Sequence, residues 1–468
     1  MSKESERKEI GWILEETKTA NLGDERLNRR LSKLLEMLSR RPTESIPTAS
    51  KGWEETKAAY RFLDNEAATL GSVLKSHGDA TRERIRREKT ILLVQDTTEL
   101  DYSSKKQTKG LGKLNYESQL GVHLHTTLAV TQDRVCLGVV KAEVLVREKL
   151  GDNKRSKLPI EEKESMRWLT SYREAQEIAG DNANVQVISV ADREGDIYDI
   201  FAESEKAKGV NKAEWIIRAS QNRKLLERDE EDNYKKLFKK IDEAPVLGIV
   251  EFNLPRAKDR KARKVKQEIR AIAITLKAPY RKEKKFPDIK INVVVAKEVK
   301  APKGIDPIKW IILTSLPTET KEEALQVVEW YLCRWQVEIF FKILKVGCDV
   351  EELQLKTIDR IKPCLGLYMI IAWRILYIMM LGRSCPNIPC SAVFEDEEWQ
   401  AAYIVVCRKA PPKAPPNLDK MVRMIASLGG FLNRKGDGYP GPQTIWIGIQ
   451  RNRDFVIAME AQNVIKQA

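Results

Sequence analysis

The stretch VVEWYLCRWQVEIFFKILK, Val327 to Lys345, contains no Pro and no Gly, and its spacing predicts one continuous helix. Each helical residue advances about 100°. On that step Tyr331, Arg334, Glu338, Lys342 and Lys345 fall within an arc of roughly 80°. The other directions are largely apolar: Trp330, Leu332, Cys333, Val337, Ile339, Phe340, Phe341, Ile343 and Leu344. A surface helix has one apolar stripe and a broad polar face; this pattern is the reverse. Glu338 and Lys342 at i, i+4 would be an ordinary surface pair on an exposed helix. Aligned cations around one carboxylate, with apolar residues elsewhere, point instead to a carboxylate metal ligand flanked by phosphate-binding cations.

The 468 residues are enough for two to four domains. Charged residues make up 32% and hydrophobic ones 42%, the balance of a soluble globular chain. The net charge of +14 favours a polyanionic partner, nucleic acid before membrane. Seven Cys without a CxxC pair, and no signal peptide, fit reduced thiols in a cytoplasm. His123 and His125 alternate on an expected strand and read as ordinary strand residues, which leaves no His/Cys zinc site. The apolar run Leu365 to Leu381 nearly reaches spanning length, but Arg374 sits at its centre. It reads as a buried core helix, with Arg374 paired internally or facing solvent.

Residues 1 to about 70 read as helical: Leu27, Leu31, Leu34, Leu35 and Leu38 recur at helical spacing among basic residues. A small basic helical module suits DNA binding, with contacts expected between Arg40 and Arg61, or a plain helical cap on the next domain. Ile91 to Val94 is the pattern of a buried strand, and Asp96 follows it. The runs VHLHTTLAV and VCLGVVKAEVLV form a hairpin around TQDR. EKESMRWLTSYREAQEIA is a helix, and NVQVISVAD is a second buried strand ending in Asp192. A lone Asp at such a place is usually a turn or helix cap. Two of them together with Glu338 can hold a pair of divalent cations; oxygen-only ligands suit Mg²⁺ or Mn²⁺.

Between Asp192 and Glu338 the gap is too long for a simple connection. It contains one core strand (EWIIRAS), an inserted β-subdomain over about 220–305, and a return strand carrying Trp310. The insertion brings Arg260, Lys261, Arg263 and Lys264, and then YRKEKK; these are solvated loop charges or phosphate contacts. Pro-rich APPKAPP reads as a semi-rigid linker. Helices at Met421 to Leu432 and Asp454 to Gln467 complete the chain.

The pattern Y-x-x-R-x-x-x-E-x-x-x-K over Tyr331 to Lys342, followed by Lys345, resembles the signature of bacterial insertion-sequence transposases of the DDE type. LGDERLNRRL, AAYRFLDN, VQDTTEL, EKESMRWL, VADREGDIYD, IKWIILTSLPTE and LGGFLNRKG match that family in order and spacing, over nearly the whole chain. The resemblance implies an α/β fold with a ribonuclease-H-like, retroviral-integrase-type mixed-sheet catalytic core at 71–382. An N-terminal helical end-binding domain at 1–70 and a C-terminal helical dimerisation domain at 383–468 would flank it. It implies catalytic, metal-binding Asp96, Asp192 and Glu338 with two Mg²⁺ or Mn²⁺ ions. Tyr331, Arg334, Lys342 and Lys345 would hold DNA phosphate, and Trp310 would stack on an extruded base. Transposon-end double-stranded DNA and target DNA would be the partners of a homodimer in a synaptic complex, with no membrane role and a cytoplasmic, nucleoid-associated location. The reaction implied is cut-and-paste transposition through a hairpin intermediate. Two rivals stay open: a ribonuclease-H-like nuclease that cuts without transposing, and a non-catalytic DNA-binding regulator.

Overall fold

The computed structural model describes residues 11–50, 52–116, 118–147, 159–207, 211–254, 261–281 and 284–467. In chain order the helices are α1 (Gly11–Thr17), α2 (Glu25–Arg40), α3 (Ile46–Ala49), α4 (Trp53–Leu63), α5 (Leu70–Ile85), α6 (Met166–Asp181), α7 (Tyr198–Lys206), α8 (Leu237–Lys240), α9 (Lys321–Leu332), α10 (Trp335–Lys342), α11 (Ile358–Ser384), α12 (Asp396–Cys407), α13 (Leu418–Leu428) and α14 (Pro442–Gln467). The strands are β1 (Thr90–Asp101), β2 (Gly112–Lys113), β3 (Leu120–Val130), β4 (Cys136–Leu145), β5 (Gln186–Ala191), β6 (Glu214–Arg218), β7 (Lys224–Arg228), β8 (Tyr234–Lys236), β9 (Val246–Leu254), β10 (Arg263–Leu276), β11 (Ile289–Glu298) and β12 (Lys309–Thr314). The chain forms two compact units. One holds Met1–Arg87, Thr97–Leu150 and Gln336–Ala468; the other holds Glu88–Asp96 and Gly151–Trp335.

The second unit is built on a mixed sheet. β1, β5 and β6 run parallel, and β12 joins β6 antiparallel. Ile91 to Val94 and Val187 to Ala191 are buried almost without exception, because helices or strands cover both faces of a parallel core. α6 presents Trp168, Leu169, Tyr172, Ala175, Ile178 and Ala179 to this core at helical spacing. The inserted strands do not form a separate sheet: β11 pairs β12, β10 pairs β11, and β9 and β7 both pair β10. The insertion therefore extends the core sheet sideways. α9 crosses this sheet against β5, β6, β10 and β11.

The first unit is centred on α11, which buries 19 of its 27 residues. It is the one described helix long and apolar enough to cross a membrane, and 83% of its apolar window is buried inside the fold. Arg374 on it is half-buried, donates to the carbonyl of Val393, and lies 5.3 Å from the centre of the Trp12 ring. Burial lowers its pKa from the ordinary arginine value. In the N-terminal module α2 buries Leu31, Leu34, Leu35 and Leu38, and Asp24 caps it by accepting from the amide of Arg26. Glu16 on α1 is clasped by His77 and Arg84 of α5, and His77 Nε2 accepts from the amide of Val139 on β4.

Three expectations need correction. Val327 to Lys345 is not one helix. α9 stops at Leu332, where the amides of Cys333 and Arg334 bond three residues back, to Trp330 and Tyr331, at 3.1 Å each. α10 follows, and Ile343–Gly347 is a π-helical turn closed by the bond from the Cys348 amide to Ile343. Each change of pitch departs from the uniform step of about 100° on which the single stripe rests. Next, Asp96 does not end its strand; β1 continues to Asp101 through the polar residues Thr97 to Glu99. Finally, the C-terminal region holds a further helix, α12, between the Cys390 turn and the APPKAPP segment. Its last helix begins at Pro442, well before Asp454, and runs through Gly448. A Cβ on Gly448 would collide with the carbonyl of Ile425, and one on Gly429 with that of Thr444. These glycines let the backbones of α13 and α14 meet.

Candidate active site

Strand register gives the two aspartates equivalent positions. β1 and β5 pair in parallel as far as Val94 with Val190. Asp96 and Asp192 each lie two residues beyond that pair, Asp96 within β1 and Asp192 just past the end of β5. Adjacent strands are about 4.8 Å apart. Gln95, pointing the other way, ties the strands by donating to Ser189 Oγ at 3.0 Å.

The turn after β5 is held firmly. Asp192 accepts from the Glu194 amide at 2.8 Å and opens a 3₁₀ turn. Gly195 closes that turn so tightly that a Cβ would lie 2.5 Å from Ala191 Cβ and 3.3 Å from the Trp168 ring. Asp196 is fully buried and takes bonds from the amides of Ser220 and Gln221 and from Arg223. Glu194 is paired with Arg167 at 2.8 Å. Asp199 is also buried, and Arg281 and Lys284 of the YRKEKK segment bind it at 2.8 and 2.9 Å.

Arg334, just past α9, is 7% exposed and donates from Nη1 to Asp96 Oδ2 at 2.6 Å. Its guanidinium lies 5.9 Å from the Tyr331 ring and 5.4 Å from that of Trp335. Tyr331 is buried, with Trp310 of β12 at 6.3 Å between ring centroids. Trp310 is half-buried. Asp96, Asp192, Arg334, Tyr331 and Trp310 all belong to the second unit. Glu338, Lys342 and Lys345 belong to the first. There Glu338 is half-buried, Lys342 is exposed, and Lys345 pairs with Glu351 at 3.2 Å.

A hard divalent cation takes oxygen ligands, and the carboxylates of Asp96 and Asp192 offer them. Their donor chemistry fits Mg²⁺ or Mn²⁺. Among the described residues no three His, Cys, Asp or Glu side chains are gathered into one metal-holding group. The carboxylate of Asp96 is engaged by Arg334.

The basic insertion is largely paired. Arg263 forms an ion pair with Glu298, and Lys264 one with Glu251 at 2.5 Å. Lys261 is exposed. Arg260 lies outside the described residues.

Sequence reasoning missed two features. Trp335 is 50% exposed beside Arg334, and its only signal was its place next to that arginine. Arg193, Arg218 and Lys309 line one cavity of about 350 Å³ with Phe238. They come from separate elements, so no spacing in the sequence announces them.

Three family models match the chain: "Transposase DNA-binding" over residues 9–68, "Transposase DDE domain" over 199–373 and "Transposase Tn5 dimerisation domain" over 370–464. The DDE match includes Glu338 and begins after Asp192. A solved piggyBac transposase synaptic complex with hairpin DNA, determined by cryo-EM, is similar at 8% identity and a TM-score of 0.36. The alignment covers 75% of this chain and spans 65% of that one. All three models describe transposase domains and together cover more than two thirds of the sequence; the chain is a DDE-type transposase that resembles the Tn5 transposase.

Proposed function

We propose that this chain is a cut-and-paste DNA transposase with a ribonuclease-H-like catalytic core. The observation that carries this is the equivalent placement of Asp96 and Asp192, each two residues past the last pair of two adjacent parallel strands, with Arg334 at hydrogen-bond distance from the first. Asp96, Asp192 and Glu338 would hold two divalent cations, Mg²⁺ or Mn²⁺. Such a pair, when bound, activates water and stabilises the leaving 3′ oxygen of a phosphodiester.

The remaining residues position and neutralise. Phosphoryl transfer needs alignment and charge compensation more than covalent help from the protein. Arg334 offers phosphate a planar fork; Lys342 and Lys345 act as point charges, and Tyr331 donates a hydroxyl. Trp310 receives a base extruded when the strand bends into a hairpin, and half-exposed Trp335 is a second aromatic within reach of the arginine. The N-terminal module binds the transposon end, and the C-terminal helices pair two subunits so that both ends are held in one complex. The freed 3′-hydroxyl joins target DNA.

Incubation with Mg²⁺ and DNA carrying the element's own flanking inverted repeats tests this. Nicked ends, then hairpins, then strand-transfer products are expected. Asp96→Ala, Asp192→Ala and Glu338→Ala should each abolish them and keep end binding. Cutting with no joining of paired ends would leave a nuclease; robust cutting by any of the three variants would remove that residue from the ligand set.

A further inference from the structure

We propose that Arg334 and a divalent cation compete for Asp96, and that a DNA phosphate relieves the competition by drawing the guanidinium away. Metal binding and DNA binding are then coupled through one side chain. This rests on the transposase reading of the same site.

Three observations carry it. The Arg334–Asp96 pair is short, at 2.6 Å, and both side chains are largely enclosed, 9% and 17% exposed. An oxygen so engaged cannot also serve fully as a ligand to a cation, and a guanidinium beside it repels one. Asp96 and Asp192 each follow the last paired residues, Val94 and Val190, by two positions, so both carboxylates lie toward the same end of the parallel pair. Negative charge gathered at one strand end favours a compensating cation, and at Asp96 Arg334 supplies it.

The geometry also explains how the pair could open. Asp96 sits within a strand paired on its β5 side up to Val94. Arg334 sits at the break between α9 and α10, where helical hydrogen bonding changes. The arginine is thus the partner placed to turn. Its fork fits a phosphate as well as a carboxylate. The rings of Tyr331 and Trp335 give its cation a platform in either arrangement. By linkage, whatever DNA adds to metal affinity, metal adds to DNA affinity by the same factor.

Mn²⁺ titration followed by the paramagnetic resonance signal of the free ion tests this without any reaction. Wild type, Arg334→Ala and Arg334→Lys are compared with and without a duplex carrying the flanking inverted repeat. Without DNA, Arg334→Ala should bind Mn²⁺ about tenfold more tightly than wild type, within the usual range of coupling between sites. DNA should tighten Mn²⁺ binding by wild type about as much, and by Arg334→Ala hardly at all. Mn²⁺ should also raise the melting temperature of Arg334→Ala more than that of wild type. Should Arg334→Ala fail to fold, Arg334→Lys, which keeps the charge and loses the fork, is expected to lie between the other two. Variants that bind Mn²⁺ no more tightly than a DNA-responsive wild type overturn the competition and leave the transposase reading standing. A wild type that binds no Mn²⁺ even with DNA overturns both.

Discussion

Asp196 and Arg223 form a two-pronged ion pair sealed from solvent: Nε and Nη2 donate to the same carboxylate oxygen at 3.0 and 2.5 Å. The other oxygen takes the amides of Ser220 and Gln221 at 2.8 and 2.9 Å. The turn that carries Asp192 is thereby fastened to the segment after β6. Removing one member of a buried pair leaves the other charge uncompensated, at a cost of about 3–5 kcal/mol. Asp196→Ala should lose about that much in a urea unfolding curve, and Asp196→Asn less. Wild-type stability in Asp196→Ala would show that the pair does not hold the turn.

The Glu16 carboxylate makes stability depend on acid. Burial alone would raise its pKa; His77 and Arg84 outweigh burial and bring it from 4.5 to about 2. A carboxylate with a depressed folded pKa stabilises the fold above its unfolded pKa, and that contribution fades as pH falls toward the folded value. The window therefore runs from about pH 4.5 down to about 2. The difference corresponds to roughly 3 kcal/mol at neutral pH. Glu16→Gln should be less stable than wild type at pH 7, and the gap should narrow through that window. A constant gap in paired denaturation curves would contradict the linkage.

Trp310 should act at the hairpin steps. Extruding a base costs a few kcal/mol, and an aromatic ring can return about 1–3 kcal/mol. Trp310→Ala should spare the first nick and slow hairpin formation and opening by roughly 5- to 150-fold, as that range converts to rate. A lowered melting temperature with equal loss at every step would make Trp310 a core residue instead. Single-turnover assays on prenicked and pre-hairpinned ends separate the two.

Salt dependence should divide the basic insertion. Each phosphate neutralised contributes a slope of about −0.9 in log affinity against log salt. Lys261→Ala should flatten the slope. Arg263→Ala should instead lower stability, since it strands Glu298, which is 4% exposed. Equal slopes for Lys261→Ala and wild type would mark Lys261 as a solvated loop charge.

The sequence by itself determined the local elements whose patterns are self-contained. Four apolar residues before Asp96 and the apolar run before Asp192 specify buried strands, because a strand covered on both faces carries apolar side chains on each and runs this short suit a strand rather than a helix. The leucine spacing of α2 and the run in α11 specify helices for the same kind of reason. The order of the motifs also carried the family. Tertiary structure decided what depended on partners distant in sequence. The helix break at Cys333–Arg334 accompanies a guanidinium bonded to Asp96, 238 residues away. No local propensity encodes that bond. Arg263, Lys264, Arg281 and Lys284 look alike as loop charges in the sequence. Only the fold shows that they face Glu298, Glu251 and buried Asp199. Gly448, a helix breaker by propensity, lies within α14 because close approach to Ile425 leaves no room for a Cβ. A charge or a glycine takes its meaning from what the folded chain sets against it, and that pairing is a property of three dimensions.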